Sequence, residues 1–436
     1  MTSAPQTRYE AVRSTLRTNP GLGKLVATRF AAQWGDGLFQ AALGGAVLFN
    51  PERQADPAVV AVSLAVVLLP YSVIGPFAGA LLDRWPRARV LVWANLLRAG
   101  LILLVAAALA GGLTGPGLYL GALAVTAVSR FVLSGLSAAL PHVTAPQRIV
   151  TVNALLAAAG AVVAVIGAGC ALAARGVLGA GDLGSGLTTA LAALGSLLAM
   201  LVARGFSRMQ LGPDARTVNK APALRAVAAG LARGASAAWA APGVAAALVA
   251  LGAHRLAFGI NTLLTLLLMR YAFAGGGVLP GGLGGFSQVV ASSAAGMLIA
   301  AVLTPALVHR FGKQRTITAA MSVAVLIQVS LVPTFSQPAI LVAALVLAMA
   351  GQVVKLSADT AMQLEVDDEH RGQVFALQDA LFNVTYVVAI ALAATVVAPD
   401  GRSPGLVFVA AAVYVLGLLA HLLVSHRRAS MAEPGQ

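Results

Sequence analysis

The chain has 436 residues, of which 59% are hydrophobic and 10% charged, against about 25% charged in an average soluble protein. A mean hydropathy of +0.86 exceeds what a water-facing fold can hide, which excludes a soluble globular enzyme and leaves a bilayer to solvate much of the surface. The net charge is +14, but the cations are spread between apolar runs rather than gathered in a domain, which excludes nucleic acid as a partner.

The first 24 residues lack the short apolar core and small-residue cleavage site of a secretory signal, so the first run is read as retained. Within this tail Tyr9, Val12 and Leu16 have the spacing of a short amphipathic helix resting on a membrane surface. Twelve runs then follow that are long enough to cross a hydrocarbon core of ~30 Å as helices. They span 25–49, 58–82, 88–110, 117–140, 150–174, 184–204, 242–272, 283–308, 316–335, 338–358, 373–398 and 403–425. The fold class is therefore all-α integral membrane, with twelve transmembrane helices in two six-helix halves. The domains predicted are a cytoplasmic tail (1–24), a first half (25–204), a cytoplasmic linker (205–241), a second half (242–425) and a second cytoplasmic tail (426–436).

Orientation follows from the basic residues, because short loops rich in Lys and Arg stay cytoplasmic. With the amino terminus inside, 20 of the 29 fall in cytoplasmic segments, against three outside (Arg53, Arg175 and Arg402). The remaining six, Arg29, Arg98, Arg130, Arg255, Arg270 and Lys355, lie within runs. An internal repeat is visible at one offset. Arg29 and Arg255 stand 226 positions apart, and so do the segments Asp83-Arg84-Trp85-Pro86-Arg87-Ala88-Arg89 and His309-Arg310-Phe311-Gly312-Lys313-Gln314-Arg315.

Charges inside the hydrocarbon are costly and tend to face a cavity or a partner. Asp36 lies about 11 residues, or ~16 Å, into run one, near the midplane. Arg29, Gln33, Asp36 and Gln40 form one polar stripe on that helix, which implies a wet cavity. Arg130 in run four reaches a similar depth, so an Asp36–Arg130 pair is expected, either broken by a proton or substrate or serving as a permanent structural pair. In run ten Gln352, Lys355 and Asp359 share a face, as do Asp379, Asn383 and Tyr386 in run eleven. Pairing of Lys355 with Asp379 then makes a cytoplasmic gate or a substrate contact. Arg29, Arg98 and Arg255 are close enough to the cytoplasmic face to extend their heads to the interface, and Arg270 to the outer one. Asn261, Thr262 and Thr265 are candidate cavity residues, although threonine also bonds its own helix backbone. His421 and His426 near the end of the last run are read as solvated rather than as ligands. No Walker loop, zinc-binding His-Glu-x-x-His or nucleophile elbow is present in the sequence, so no cofactor or metal and no catalytic residue is expected.

Residues 79–91, GALLDRWPRARVL, resemble the loop motif of the major facilitator superfamily, Gly-x-Leu-x-Asp-Arg-x-Gly-Arg-Arg/Lys, between its second and third helices. Three further segments resemble the macrolide-efflux and siderophore-exporter branch, a group of drug and proton antiporters: RFAAQWGDGL (29–38), PHVTAPQRIVTVNAL (141–155) and QLEVDDEHRGQVFAL (363–377). The resemblance implies a latch between halves built from Gly79, Asp83, Arg84, Arg87 and Arg89, with Arg310 and Arg315 in a weaker second copy. Pro86 stands where the family usually has Gly, and the Gly-Pro antiporter motif of helix five is not met. It further implies no enzyme but a multidrug-type efflux antiporter in a bacterial cell membrane, working by alternating access. Its partners would be membrane lipids, a small amphiphilic substrate and protons, with the chain acting as a monomer. A lipid, lysolipid or siderophore exporter is the alternative within the fold, and a membrane enzyme or scaffold the alternative outside it.

Overall fold

A computed structural model describes residues 20–48, 85–145, 149–207, 209–212, 223–275 and 279–431, and among them every regular element is a helix. The first six helices are α1 (Pro20–Leu48), α2 (Arg87–Ala110), α3 (Pro116–Ala139), α4 (Ile149–Leu178), α5 (Asp182–Ala203) and α6 (Ala223–Ala240). The second six are α7 (Pro242–Leu267), α8 (Gly282–Phe311), α9 (Lys313–Ser330), α10 (Gln337–Glu365), α11 (Asp368–Ala394) and α12 (Pro404–Met431). Proline opens α1, α3, α7 and α12, where its missing N–H is one of the groups a helix start leaves unbonded anyway.

Ten stretches among the described residues, within α2–α5 and α7–α12, are long and apolar enough to cross a membrane. Helix α1 is not among them, although it runs for 29 residues, because the stripe Arg29, Gln33, Asp36 and Gln40 dilutes its apolar content. The expected run 58–82, with Gly79, Asp83 and Arg84 of the loop motif, lies outside the described residues. Helix edges depart from the hydropathy edges where polar residues continue the ladder: α1 begins at Pro20, α10 continues to Glu365, and the linker contains α6.

The described residues gather into two compact units, one holding α1–α5 and the other α6–α12. Within the first, α1 packs on α4 and α5 while α2 packs on α3 and α5. Within the second, α7 packs on α11 and α12 while α9 packs on α10 and α12. The offset of 226 carries α2, which opens at Arg87, onto α9, which opens at Lys313. It also relates two apolar grooves: one of about 580 Å³ lined by Trp85, Arg89, Trp93 and Leu97, the other of about 420 Å³ lined by Phe311, Arg315, Ala319 and Val323. The copies reach the same helix start by different backbones, Pro86 with φ −56° before α2 and Gly312 with φ +80° before α9.

Lipid tails are as apolar as leucine, so helices in a bilayer associate through close packing of small residues. Helix α1 shows this on two sides. A Cβ on Gly37 would collide with the Ala164 carbonyl of α4, and one on Gly167 with the Trp34 carbonyl of α1. A Cβ on Gly195 of α5 would lie 2.7 Å from the Gly35 Cα. These contacts bring the polar stripe of α1 against its neighbours.

Candidate functional site

In the first unit a guanidinium sits where four helices meet. Arg98 on α2 is fully buried (0% exposed). Its Nη1 donates to Asp36 Oδ1 of α1 at 3.0 Å and, more weakly, to Ser129 Oγ of α3 at 3.5 Å. Its Nε donates to Ser196 Oγ of α5 at 2.8 Å, and its Nη2 to the Ala32 carbonyl at 3.4 Å. A buried charge is tolerated when its hydrogen-bonding groups are met in this way. The Asp36 side chain keeps 12% exposure, so the carboxylate is the open member of the pair.

This corrects two expectations. Asp36 takes Arg98 and not Arg130, because residues adjacent on a helix point about 100° apart. Ser129 is the residue of α3 turned toward Arg98, and Arg130 beside it is half-buried with contacts of its own. Nor does Arg98 extend to an interface: it starts about 11 residues, or ~16 Å, into α2, too deep for its head to reach water. On the rest of the stripe, Arg29 is buried and donates Nε to Gln33 Oε1 at 3.3 Å, while Gln33 and Gln40 are half-buried.

The second unit has a different centre. Arg255 of α7 is 8% exposed and lies over two rings of α11, 3.8 Å from the Phe382 centroid and 4.2 Å from that of Tyr386. Its Nε donates to the Phe382 carbonyl at 2.9 Å. Gly259, one turn along α7, permits the approach, since a Cβ there would lie 2.7 Å from the Tyr386 carbonyl. The interface reading of Arg255 is thus replaced by an aromatic bracket that the sequence reading missed, although Tyr386 and the repeat-related Arg255 were both in view. His254, next in the chain, shares a 3.1 Å hydrogen bond with the Tyr414 hydroxyl of α12 and packs its ring 5.5 Å from that of Phe258. Tyr414→Phe leaves a buried ring nitrogen without its partner and is expected to cost about 1–3 kcal/mol, read as a lower unfolding temperature of the purified protein.

Asn261, a candidate cavity residue, donates to Gln328 Oε1 of α9 at 2.6 Å, and Gln328 donates on to the Val407 carbonyl at 3.3 Å. The pair ties α7 to α9 and α12. Thr262 donates back to the Phe258 carbonyl at 2.8 Å. Lys355 pairs with Asp359 one turn along its own helix, at 3.1 Å, rather than with Asp379. Gln378 of α11 donates to Asp359 at 2.7 Å, and Asp379 beside it is exposed because it points about 100° away. His421 is not solvated either: it is buried, with Nδ1 2.9 Å from the Ala246 carbonyl of α7. The His426 side chain lies outside the described residues.

Of the loop motif, Arg87 is engaged within its own unit, donating to the Ala138 carbonyl at 2.9 Å and the Leu211 carbonyl at 3.3 Å. It caps the end of α3, whose last carbonyls have no helical partner. Its repeat counterpart Lys313 pairs with Glu365 at the end of α10, at 2.5 Å. Arg89, Arg310 and Arg315 are exposed, Arg310 lying 5.3 Å from the Phe311 ring.

The family model of the Major Facilitator Superfamily matches residues 25–389. The chain belongs to this superfamily. It is 44% identical over 426 residues to an uncharacterized MFS-type transporter of Mycobacterium tuberculosis, covering 97% of this chain and 95% of the relative. A counterpart in Mycobacterium bovis gives the same figures. Among solved structures it is similar to the nucleoside transporter NupG, with a TM-score of 0.63 at 14% identity over 94% of this chain and 99% of that one. It is likewise similar to a peptide transporter POT in complex with sulfate, with a TM-score of 0.64 at 16% identity over 94% of this chain and 95% of that one. Likeness at this identity speaks for the fold alone. The chain is therefore a multi-pass membrane transporter of the facilitator fold and not an enzyme.

Proposed function

We propose that this transporter exports a small amphiphilic molecule in exchange for protons, by alternating access, in a bacterial cell membrane with both termini cytoplasmic. The observation that carries this reading is the Asp36–Arg98 pair, a carboxylate with residual exposure held by a fully buried guanidinium. Protonating Asp36 removes the countercharge and leaves Arg98 buried with weaker, neutral partners. Breaking one side of a buried pair costs about 3–5 kcal/mol, enough to move a conformational equilibrium by about two to almost four orders of magnitude. Binding and release of one proton can thus favour one or the other conformation of the unit.

The test is efflux from proteoliposomes with and without an imposed pH gradient, over a panel of lipophilic cations, macrolides, siderophores and lysolipids. We expect gradient-driven movement of at least one class, lost in Asp36→Asn protein that still reconstitutes as a folded monomer. Movement that ignores the gradient, or survives Asp36→Asn, overturns proton coupling. The class moved decides between drug, lysolipid and siderophore export.

A further inference from the structure

Arg255 is held without being satisfied. The rings of Phe382 and Tyr386 occupy the flat face of its guanidinium, and its Nε is spent on the Phe382 carbonyl. Among the described residues Nη1 and Nη2 donate to no acceptor and no carboxylate pairs with them, although the residue is 8% exposed. The contrast within the molecule is sharp, since Arg98, also buried, has Asp36, two serines and a carbonyl. Aromatic faces attract a cation but accept none of its hydrogen bonds, so the forked edge of the guanidinium remains to be filled. That edge presents two parallel N–H groups whose spacing matches a carboxylate or phosphate.

We propose that the outer edge of Arg255, braced by Phe382 and Tyr386, is a subsite for the anionic end of the transported molecule, a carboxylate or phosphate carried on an apolar body. The bracket fixes the plane of the fork in advance, so little side-chain freedom is lost on binding. The proposal rests on the exporter reading in placing the subsite on the transport path, but binding at it needs no gradient.

The experiment measures equilibrium binding to the purified full-length chain in nanodiscs of phosphatidylcholine, which carries no net charge. The probes are decanoate and decyl phosphate, with decanol and decyltrimethylammonium as neutral and cationic counterparts of the same chain. We expect both anions to bind more tightly than decanol, with Arg255→Gln weakening them by about tenfold to a hundredfold, the scale of one charge-assisted hydrogen-bonded contact. Decyltrimethylammonium should be unaffected. Arg255→Lys should restore part of the anion affinity, because it keeps the charge but not the fork. Should Arg255→Gln fail to fold, the ranking of probes on the unaltered chain and on Phe382→Leu still decides. Equal affinity of anions and decanol, or anion affinity untouched in every Arg255 variant, overturns the subsite. Anion binding without gradient-driven efflux would leave the subsite standing and remove the exporter reading, and efflux without anion preference would do the reverse.

Discussion

Arg98→Ala is expected to destabilise the protein by about 3–5 kcal/mol, one of the two largest effects predicted for a single side chain. The substitution strips the countercharge from Asp36 and the donors from Ser196, Ser129 and the Ala32 carbonyl, and it opens a void where α1, α2, α3 and α5 meet. Asp36→Asn keeps the volume and an oxygen acceptor for Arg98, so it removes the countercharge without opening the void. Because the two residues share one hydrogen-bonded pair, the double variant Asp36→Asn with Arg98→Ala should fall short of additivity, with a coupling of about 0.5–3 kcal/mol. Thermal unfolding of the four proteins in one detergent measures this cycle. Strict additivity would mean that the 3.0 Å contact contributes nothing to the folded state. Transport in Arg98→Ala should be lost even in whatever fraction folds, since the proposed proton switch has then lost its lever.

Gly167→Val should be as damaging for a wholly different reason. At that position any Cβ runs into the Trp34 carbonyl and lies 3.1 Å from the Leu38 nitrogen, both belonging to the backbone of α1. Overpacking against flexible side chains costs about 1–3 kcal/mol, and here the obstacle is a helix that cannot rotate aside. The α1–α4 crossing must open, which draws the Gln33 and Asp36 stripe away from its neighbours. Two positions later on the same helix, Gly169 has nothing within 4 Å of a Cβ. Gly169→Ala should therefore be neutral or gain up to about 1 kcal/mol from helix propensity. The comparison is read as yield of monodisperse protein and as unfolding temperature, and similar behaviour of the two variants would refute the packing argument.

Much of the architecture was legible in the residues because it depends on quantities that run along the chain. Apolar length against bilayer thickness marks the spans, as α2–α5 and α7–α12 show. A constant offset reveals the repeat, and the structure extends it to the start of α9 and to the paired grooves at Arg89 and Arg315. That Asp36 needs a partner was legible for the same reason, since the cost of a carboxylate within an apolar run is a one-dimensional argument. Its partner was not. Arg98 looks from its position like a residue that reaches for the interface, and Arg255 likewise, because no property of the sequence says whether a helix face meets lipid, water or another helix. His421 fails in the same way: its place near the end of α12 suggests solvent, while the packing of α12 on α7 buries it.

What the sequence by itself determined is length and period: which stretches are apolar enough to cross a membrane, and which residues share a face of their own helix. What only the tertiary structure decided is the rotation of each helix about its axis. In both failed pairings the residue next to the expected one is turned inward, Ser129 beside Arg130 toward Arg98 and Gln378 beside Asp379 toward Asp359, while the charged partner comes from elsewhere, Arg98 for Asp36 and Asp359 for Lys355. One residue is about 100° of azimuth on a helix. On α1, α4, α5, α7 and α11 that angle is held by glycine crossings where backbone meets backbone, and on α3 by its packing on α2; such contacts between helices are not written along any one of them.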